Sequence, residues 1–213
     1  MIALSNVRDR LEYQSLLLGT VVLVTCALLA FAYQLTREPI RLALENDLLK
    51  NFSQVLPPTL HDNNLLDSQH RIQAPWGEIT WYQATLGGQV TAVVLPVTAT
   101  GYAGDIEMLM SIRDDGRIAG VRVLIHKETP GLGDKIEISR SSWITGFNGT
   151  SLDNPGPGGW AVKKDGGAFD QFTGATITPR AVIGAIKGAL EFFDTHKSTF
   201  LAPAPKTGGM ADD

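Results

Sequence analysis

The hydrophobic pattern begins with one long apolar run, which is followed by a segment of helical spacing. No charged residue interrupts the run from Ser15 to about Tyr33, and a run of that length crosses a bilayer as a helix. We therefore predict a transmembrane helix over residues 15–34, behind a short cytoplasmic segment of residues 1–14. The alternative is a signal peptide, since Ala30-Phe31-Ala32 fits a signal-peptidase site.

Helical spacing resumes directly after the apolar run. Apolar residues recur at three- and four-residue steps between positions 40 and 56, and Pro57-Pro58 ends the pattern. We predict a helix over about residues 39–54, separated from the membrane helix by a break at Pro39 and packed on the domain that follows. Residues 61–75 are polar and turn-rich, and they predict a loop.

The middle of the chain has the alternation that is typical of β-strands. Residues 78–96 flank Gly87-Gly88 and predict a hairpin. A second hairpin is predicted for residues 105–112 and 118–126, around the turn at 114–117. Because no helix intervenes, the sheet should be mainly antiparallel, and with its flanking helices the domain belongs to the α+β class.

A second amphipathic helix is predicted near the C-terminus. Thr178 is a good N-cap and Pro179 suits a first helical position, and an apolar stripe then continues to about Thr195. Thr176 would lie just ahead of this helix, where free N–H groups favour a phosphate. Residues 201–213 contain little to bury and predict a disordered tail.

Charge and cysteine content exclude several function classes. A formal net charge of -4 and a pI near 5.5 give no electrostatic footprint for nucleic acid. Cys26 is the only cysteine, which excludes intrachain disulfides and cysteine-ligated zinc or iron–sulfur sites. Any redox role therefore requires a bound cofactor.

Two stretches of the chain resemble a known family. Asp170-x-x-Thr173-Gly174-Ala175-Thr176 resembles the attachment motif of flavoproteins whose FMN is bonded through its phosphate to a threonine. The wider runs 126–136 and 163–179 resemble the G subunit of the Rnf complex, an ion-translocating ferredoxin:NAD oxidoreductase. Two alternatives stay open: the C subunit of the sodium-translocating NADH:quinone reductase, and a non-redox structural or sensory module in which the motif only caps a helix.

The Rnf resemblance implies a role for each motif. It implies an electron-carrying subunit with FMN esterified to Thr176, no catalytic residue of its own and no metal site. The attachment motif adds Thr173, Gly174 and Ala175. Candidate contacts to the isoalloxazine ring or ribityl chain are Glu128, Thr129, Leu132 and Gly133.

The same resemblance implies partners and a location. The partners are integral membrane subunits, a second covalent flavoprotein, iron–sulfur proteins and, during maturation, a flavin transferase. The chain would cross the bacterial inner membrane once, with residues 35–200 as a periplasmic FMN-binding domain. Charge does not orient the helix, because Arg8 and Arg10 on one side are balanced by Arg37 and Arg41 on the other.

Tyr102, His126 and Trp143 can each be interpreted as structural residues or as parts of a site. We interpret Tyr102 as a packing aromatic, with a pocket-lining role as the alternative. His126 fits a hydrogen-bonded residue at a strand end better than half of a metal site. Trp143 fits burial in the core at least as well as packing on a flavin edge.

Overall fold

The computed structural model describes residues 11–203, which divide between Asp47 and Leu48 into two compact units. Helix α1, Leu11–Val55, runs through this division. Its stretch Tyr13–Val55 is long and apolar enough to cross a membrane, which agrees with the predicted span in length and composition. Residues 1–10 and 204–213, which include most of the predicted N-terminal segment and tail, lie outside the described residues.

The predicted break at Pro39 is wrong, because α1 continues through this residue. A proline within a helix removes one backbone hydrogen bond. Side chains around it supply local contacts: Arg41 pairs with Glu38 at 2.9 Å and with Glu45 at 2.7 Å. Such pairs, three and four residues apart, each stabilise a helix by a few tenths of a kcal/mol.

The second unit contains a five-stranded antiparallel meander in which each strand pairs with the next. Both predicted hairpins are confirmed, β2 with β3 and β4 with β5. The strands are β1 Gln69–Ala74, β2 Gly77–Leu86, β3 Gln89–Thr100, β4 Asp105–Arg113 and β5 Ile118–Ile125.

The predicted loop over residues 61–75 is partly wrong, because its second half forms β1. This strand is at one edge of the sheet and most of its side chains are exposed or half-buried, so its sequence is polar although its backbone pairs fully with β2. An edge strand with little apolar burial lacks the alternation that identifies a strand in a sequence.

Strand β3 supplies side chains to a core on each face of the sheet. Its residues 93, 95 and 97 belong to the larger core, which also contains the apolar stripe of helix α2, Ile177–Thr195. Its residues 92 and 94 belong to a smaller core with Phe52, Val55 and Leu56. The predicted packing of the helix before Pro57 is therefore confirmed for its last turn, whereas Leu48 and Leu49 remain exposed.

Residues 126–176 join the sheet to α2 without a further strand and carry the candidate site. Short 3-10 helices interrupt this connection, and one of them covers Ser142–Phe147. The connection is packed around aromatic rings, since Phe147 stacks on Phe169 at 4.4 Å and on Trp160 at 6.3 Å. The last described helix, α3, covers Lys197–Phe200.

Candidate functional site

Three segments that are distant in sequence converge on one cleft of about 560 Å³. They are the turn between β3 and β4, the loop after β5 and the residues that open α2. A cleft of this size is typical of small-molecule sites. The lining residues are Tyr102, Glu128, Thr129, Leu132, Gly133, Gly174, Ala175, Thr176, Ile177 and Thr178.

Glu128 is the residue that joins the three segments. Its side chain is buried, with an exposed fraction of only 4%. One carboxylate oxygen accepts a hydrogen bond from the Ala103 amide at 3.0 Å, and the other accepts one from the Thr178 hydroxyl. A buried carboxylate is tolerated when it is hydrogen-bonded in this way. The contacts connect the β3–β4 turn to the start of α2.

Two glycines leave the space that Glu128 occupies. A Cβ atom on Gly133 would lie 2.8 Å from Glu128 Oε2 and 2.9 Å from Glu128 Cβ. A Cβ on Gly101 would meet the other carboxylate oxygen and lie 2.7 Å from Ile106 Cδ1. Real side chains do not pack at such distances, so both positions require glycine for reasons of space.

His126 orients the backbone that precedes Glu128. Its Nδ1 accepts a hydrogen bond from the Glu128 amide at 3.0 Å, and its Nε2 lies 2.6 Å from Glu137 Oε1. Because Nδ1 accepts, the proton is assigned to Nε2, which donates to Glu137. Hydrogen bonds to the Glu137 carboxylate lower its pKa; the larger effect comes from the Ser139 hydroxyl and the smaller one from His126. His126 is therefore hydrogen-bonded, as predicted.

The loop after Glu128 closes in a tight turn. The amides of Leu132 and Gly133 both donate to the Thr129 carbonyl, at 3.1 and 3.0 Å. Gly131 has a φ of 79°, in the left-handed region that glycine adopts readily. The turn leaves Leu132 43% exposed and places its Cδ2 atom 3.5 Å from where a Cβ on Gly174 would be. The two runs that resemble the Rnf protein therefore meet in space.

The stretch that resembles an FMN attachment motif forms a second tight turn. The Ala175 amide donates to the Phe172 carbonyl at 3.2 Å, and Gly174 has a φ of 81°. A positive φ at this place in a four-residue turn strongly favours glycine. Thr173, at the preceding position, is exposed and is absent from the cleft lining. Of the predicted site residues, it is the one that the structure does not bring into the cleft.

The predicted N-cap at Thr178 is wrong, because α2 begins at Ile177 and Thr176 occupies the N-cap position. Thr178 lies in the first turn, where its buried hydroxyl donates to Glu128. Pro179 is the third helical residue. Proline is tolerated throughout the first turn, where backbone N–H groups have no helical partner, so it did not fix the first residue of the helix.

The start of α2 leaves several polar groups without partners. Among the described residues, the Thr176 hydroxyl has no hydrogen-bond partner and makes no N-cap bond. The amides of Thr176, Ile177 and Thr178 likewise donate to no acceptor in residues 11–203. Free amides and the positive end of the helix dipole together favour an anion at this position.

The interpretation of Tyr102 as a packing aromatic is wrong. Its side chain is 71% exposed and lines the cleft. Trp143, in contrast, does not line the cleft. It packs edge-on against Phe147 and Phe172, and its Nε1 donates to the Asp170 carbonyl at 2.8 Å. Sequence spacing alone did not distinguish the two aromatics, because the exposure of each side chain depends on whether other parts of the fold pack against it.

Comparison with known proteins places this chain in a family. The model of the FMN-binding domain family matches residues 101–191, a range that contains every residue lining the cleft. A relative from Cereibacter sphaeroides (strain ATCC 17029 / ATH 2.4.9), the G subunit of an "Ion-translocating oxidoreductase complex", is 53% identical over 89% of this chain and 87% of its own length. The G subunit of the same kind of complex from Pseudomonas aeruginosa (strain UCBPP-PA14) is 46% identical over 91% and 94%. The chain belongs to this G-subunit family.

Membership in the G-subunit family confirms the resemblance that was predicted from residues 126–136 and 163–179. Among solved structures, Shewanella oneidensis NqrC is similar at 23% identity and a TM-score of 0.46, over 70% of this chain and 73% of its own. The predicted α+β fold is confirmed by this chain's own structure, which has an antiparallel sheet and flanking helices.

The residues of the cleft fit an FMN group. FMN presents a phosphate, a polar ribityl chain and a flat apolar ring. The unpaired amides at residues 176–178 suit the phosphate, and Gly174 has no side chain to obstruct a group approaching the backbone. Exposed apolar side chains of Tyr102, Leu132 and Ile177 suit the ring.

Proposed function

We propose that this chain is an electron-carrying subunit of an ion-translocating ferredoxin:NAD oxidoreductase complex, with FMN esterified through its phosphate to the Thr176 hydroxyl. The observation that carries the proposal is that this hydroxyl has no partner among residues 11–203 and lies in the cleft of an FMN-binding domain. FMN supplies the redox chemistry when it is bound, whereas the protein supplies its position and surroundings.

Comparison of the three threonines in the motif favours Thr176 as the attachment residue. Thr173 is exposed and does not line the cleft. Thr178 is buried, and its hydroxyl is engaged by Glu128. Thr176 is half-buried, lines the cleft and has a hydroxyl without a partner among the described residues. It is therefore the threonine whose oxygen is both accessible from the cleft and available for a bond.

The start of α2 would hold the phosphate. The unpaired amides at residues 176–178 donate to phosphate oxygens, and the helix dipole lowers the free energy of the negative charge. Gly174 allows the group to lie close to the backbone. Attachment at this point would tether the flavin at the residue directly before α2, among the residues that line the cleft.

The predicted contacts in the loop after β5 divide into two kinds. Thr129 and Leu132 are exposed side chains of the cleft and are proposed to contact the flavin. Glu128 lines the cleft too, but both of its carboxylate oxygens already accept hydrogen bonds from the protein. We propose that Glu128 and Gly133 act mainly by holding the loop in place, with contact to the flavin through their cleft-lining atoms.

The anchoring helix and the family name support an assembly in a membrane. We propose that residues 15–34 of α1 cross the bacterial inner membrane once and that residues 35–200 lie on the periplasmic side. The partners would be integral membrane subunits, a second covalent flavoprotein and iron–sulfur proteins, and a flavin transferase would attach the FMN.

A denaturing gel tests the attachment. The full chain is produced together with a flavin transferase, denatured and viewed for flavin fluorescence before staining. The wild type and Thr173→Val should fluoresce, whereas Thr176→Val should be dark. A dark wild-type band would contradict covalent attachment and leave the non-redox module as the better account. A fluorescent Thr176→Val band would place the bond on another residue.

A further inference from the structure

Tyr102 differs from the other large aromatic residues of the domain in having no ring or hydrogen-bond partner in the part of the chain that the structure describes. Each of the four tryptophans contacts another ring, and Tyr82 contacts Phe52 at 4.7 Å. Tyr102 has neither a ring contact nor a hydrogen bond within residues 11–203, and 71% of its surface is exposed. A ligand in the cleft would cover an aromatic ring that the described residues leave exposed, and burial of apolar surface is favourable.

The backbone that carries Tyr102 is nevertheless held firmly. The next residue, Ala103, donates its amide to the buried Glu128 carboxylate at 3.0 Å. The turn around it is closed by a hydrogen bond from the Gly101 amide to the Gly104 carbonyl at 2.8 Å. Glu128 in turn is bonded to Thr178 in the first turn of α2. These bonds fix the backbone that carries the exposed ring, as a precise ligand contact requires.

We infer that Tyr102 packs against the isoalloxazine ring of the flavin and that the chain of hydrogen bonds through Glu128 positions it relative to α2. The inference rests on the proposed function, because it requires FMN on Thr176. Its support is that Tyr102 and Thr176 line the same cleft. Aromatic side chains bind flat rings by stacking or edge contacts, and Tyr102 lies outside both of the motif runs.

Optical measurements on the flavin-loaded full chain in detergent test the inference. A phenol ring in contact with an excited flavin quenches its fluorescence, so Tyr102→Ala should lengthen the fluorescence lifetime severalfold. The same variant should lose a large part of the visible circular dichroism of the flavin, which reports an ordered contact. Tyr102→Phe keeps the ring and should retain the visible circular dichroism. Because the Tyr102 side chain is exposed, neither Tyr102→Ala nor Tyr102→Phe should unfold the protein.

Tyr82→Phe is the matched control, since Tyr82 packs in the core on the other face of the sheet and should leave both signals at the wild-type level. Wild-type lifetime and circular dichroism in a loaded Tyr102→Ala chain would overturn the inference while the proposed function stands. A wild-type chain that carries no flavin on a denaturing gel would overturn the proposed function and this inference with it.

Discussion

The two sides of the cleft satisfy their polar groups differently. The first, which we call the pinned wall, is the loop Glu128–Gly133, and the second, the open wall, comprises residues 174–177. In the pinned wall the buried carboxylate accepts two hydrogen bonds and the turn closes on the Thr129 carbonyl. In the open wall the Thr176 hydroxyl and the amides of Gly174, Thr176 and Ile177 remain without partners in the described chain.

The difference separates the polar groups that hold the loop in place, above all the Glu128 carboxylate, from those that are open to a ligand, above all the Thr176 hydroxyl. Polar groups in a protein are normally paired, so a group that is unpaired in a cleft is available to a ligand. Changes to Glu128 or Gly133 in the pinned wall should therefore lower stability first, and changes to Thr176 in the open wall should alter flavin loading first. Single substitutions can alter each wall separately.

The largest loss of stability is expected for Glu128→Ala. The change leaves the Ala103 amide and the Thr178 hydroxyl unpaired and removes buried volume, which together cost about 3 kcal/mol. Chemical denaturation of the full chain in detergent, followed by tryptophan fluorescence, measures the free energy of unfolding. Glu128→Gln is the control, with a loss of about 1 kcal/mol, because a glutamine can accept from the amide and donate to the hydroxyl. Wild-type stability in Glu128→Ala would contradict the claim that the hydrogen bonds of Glu128 stabilise the pinned wall.

The next largest effect is expected at Thr178. Thr178→Val keeps the shape of the side chain but leaves one buried Glu128 oxygen without its donor, which costs about 2 kcal/mol. The variant should still fluoresce on a denaturing gel, because the hydroxyl proposed to carry the FMN is two residues away, on Thr176. Thr178→Ser should recover most of the stability. If Thr178→Val loses its flavin while keeping its stability, the roles of the two threonines are reversed.

Alanine substitutions at Gly133 and Gly174 compare the stability cost of an added side chain in the pinned wall and in the open wall. Gly133→Ala would place a Cβ atom 2.8 Å from the buried Glu128 Oε2, and overpacking of this kind costs about 2 kcal/mol. Gly174→Ala meets only an ordinary contact of 3.5 Å, so its cost is the backbone strain of a positive φ, about 1 kcal/mol. Unfolding measurements on both variants should show that order, and the reverse order would contradict the packing described for Glu128.

The smallest effect is expected for an exposed ion pair beside the open wall. Arg180 Nε lies 2.7 Å from Asp165 Oδ2, and this hydrogen bond lowers the pKa of Asp165. A lowered pKa means that the pair stabilises the fold above the ordinary aspartate pKa of about 4. That stability is lost as pH falls through the lowered value. Arg180→Gln should therefore melt slightly below the wild type at neutral pH, and the difference should vanish in strong acid. A difference that persists there would have another cause.

The sequence predicted the fold where burial is one-sided and failed where it is slight. Both hairpins and the end of α2 at Thr195 followed from apolar periodicity. Strand β1 was missed because an edge strand with exposed side chains has a polar sequence. The break at Pro39 was wrong because a long helix can continue past one missing hydrogen bond.

The candidate site was predictable to the level of segments but not of individual hydrogen bonds. The resemblance identified both runs, and seven of the eight predicted residues line one cleft. The role of Thr178 was not predictable, since its partner Glu128 is fifty residues away in the sequence. Tyr102 was misjudged for a similar reason, because exposure depends on the surrounding fold.

Mass spectrometry of the full chain, matured with a flavin transferase, tests the central claim most directly. Cleavage after Lys164 and Arg180 releases one peptide that contains Thr173, Thr176 and Thr178, so fragmentation of this peptide assigns the modified residue. The account predicts an added mass of one FMN less one water, on Thr176 alone. An unmodified peptide, or the same mass on either of the other two threonines, would contradict it.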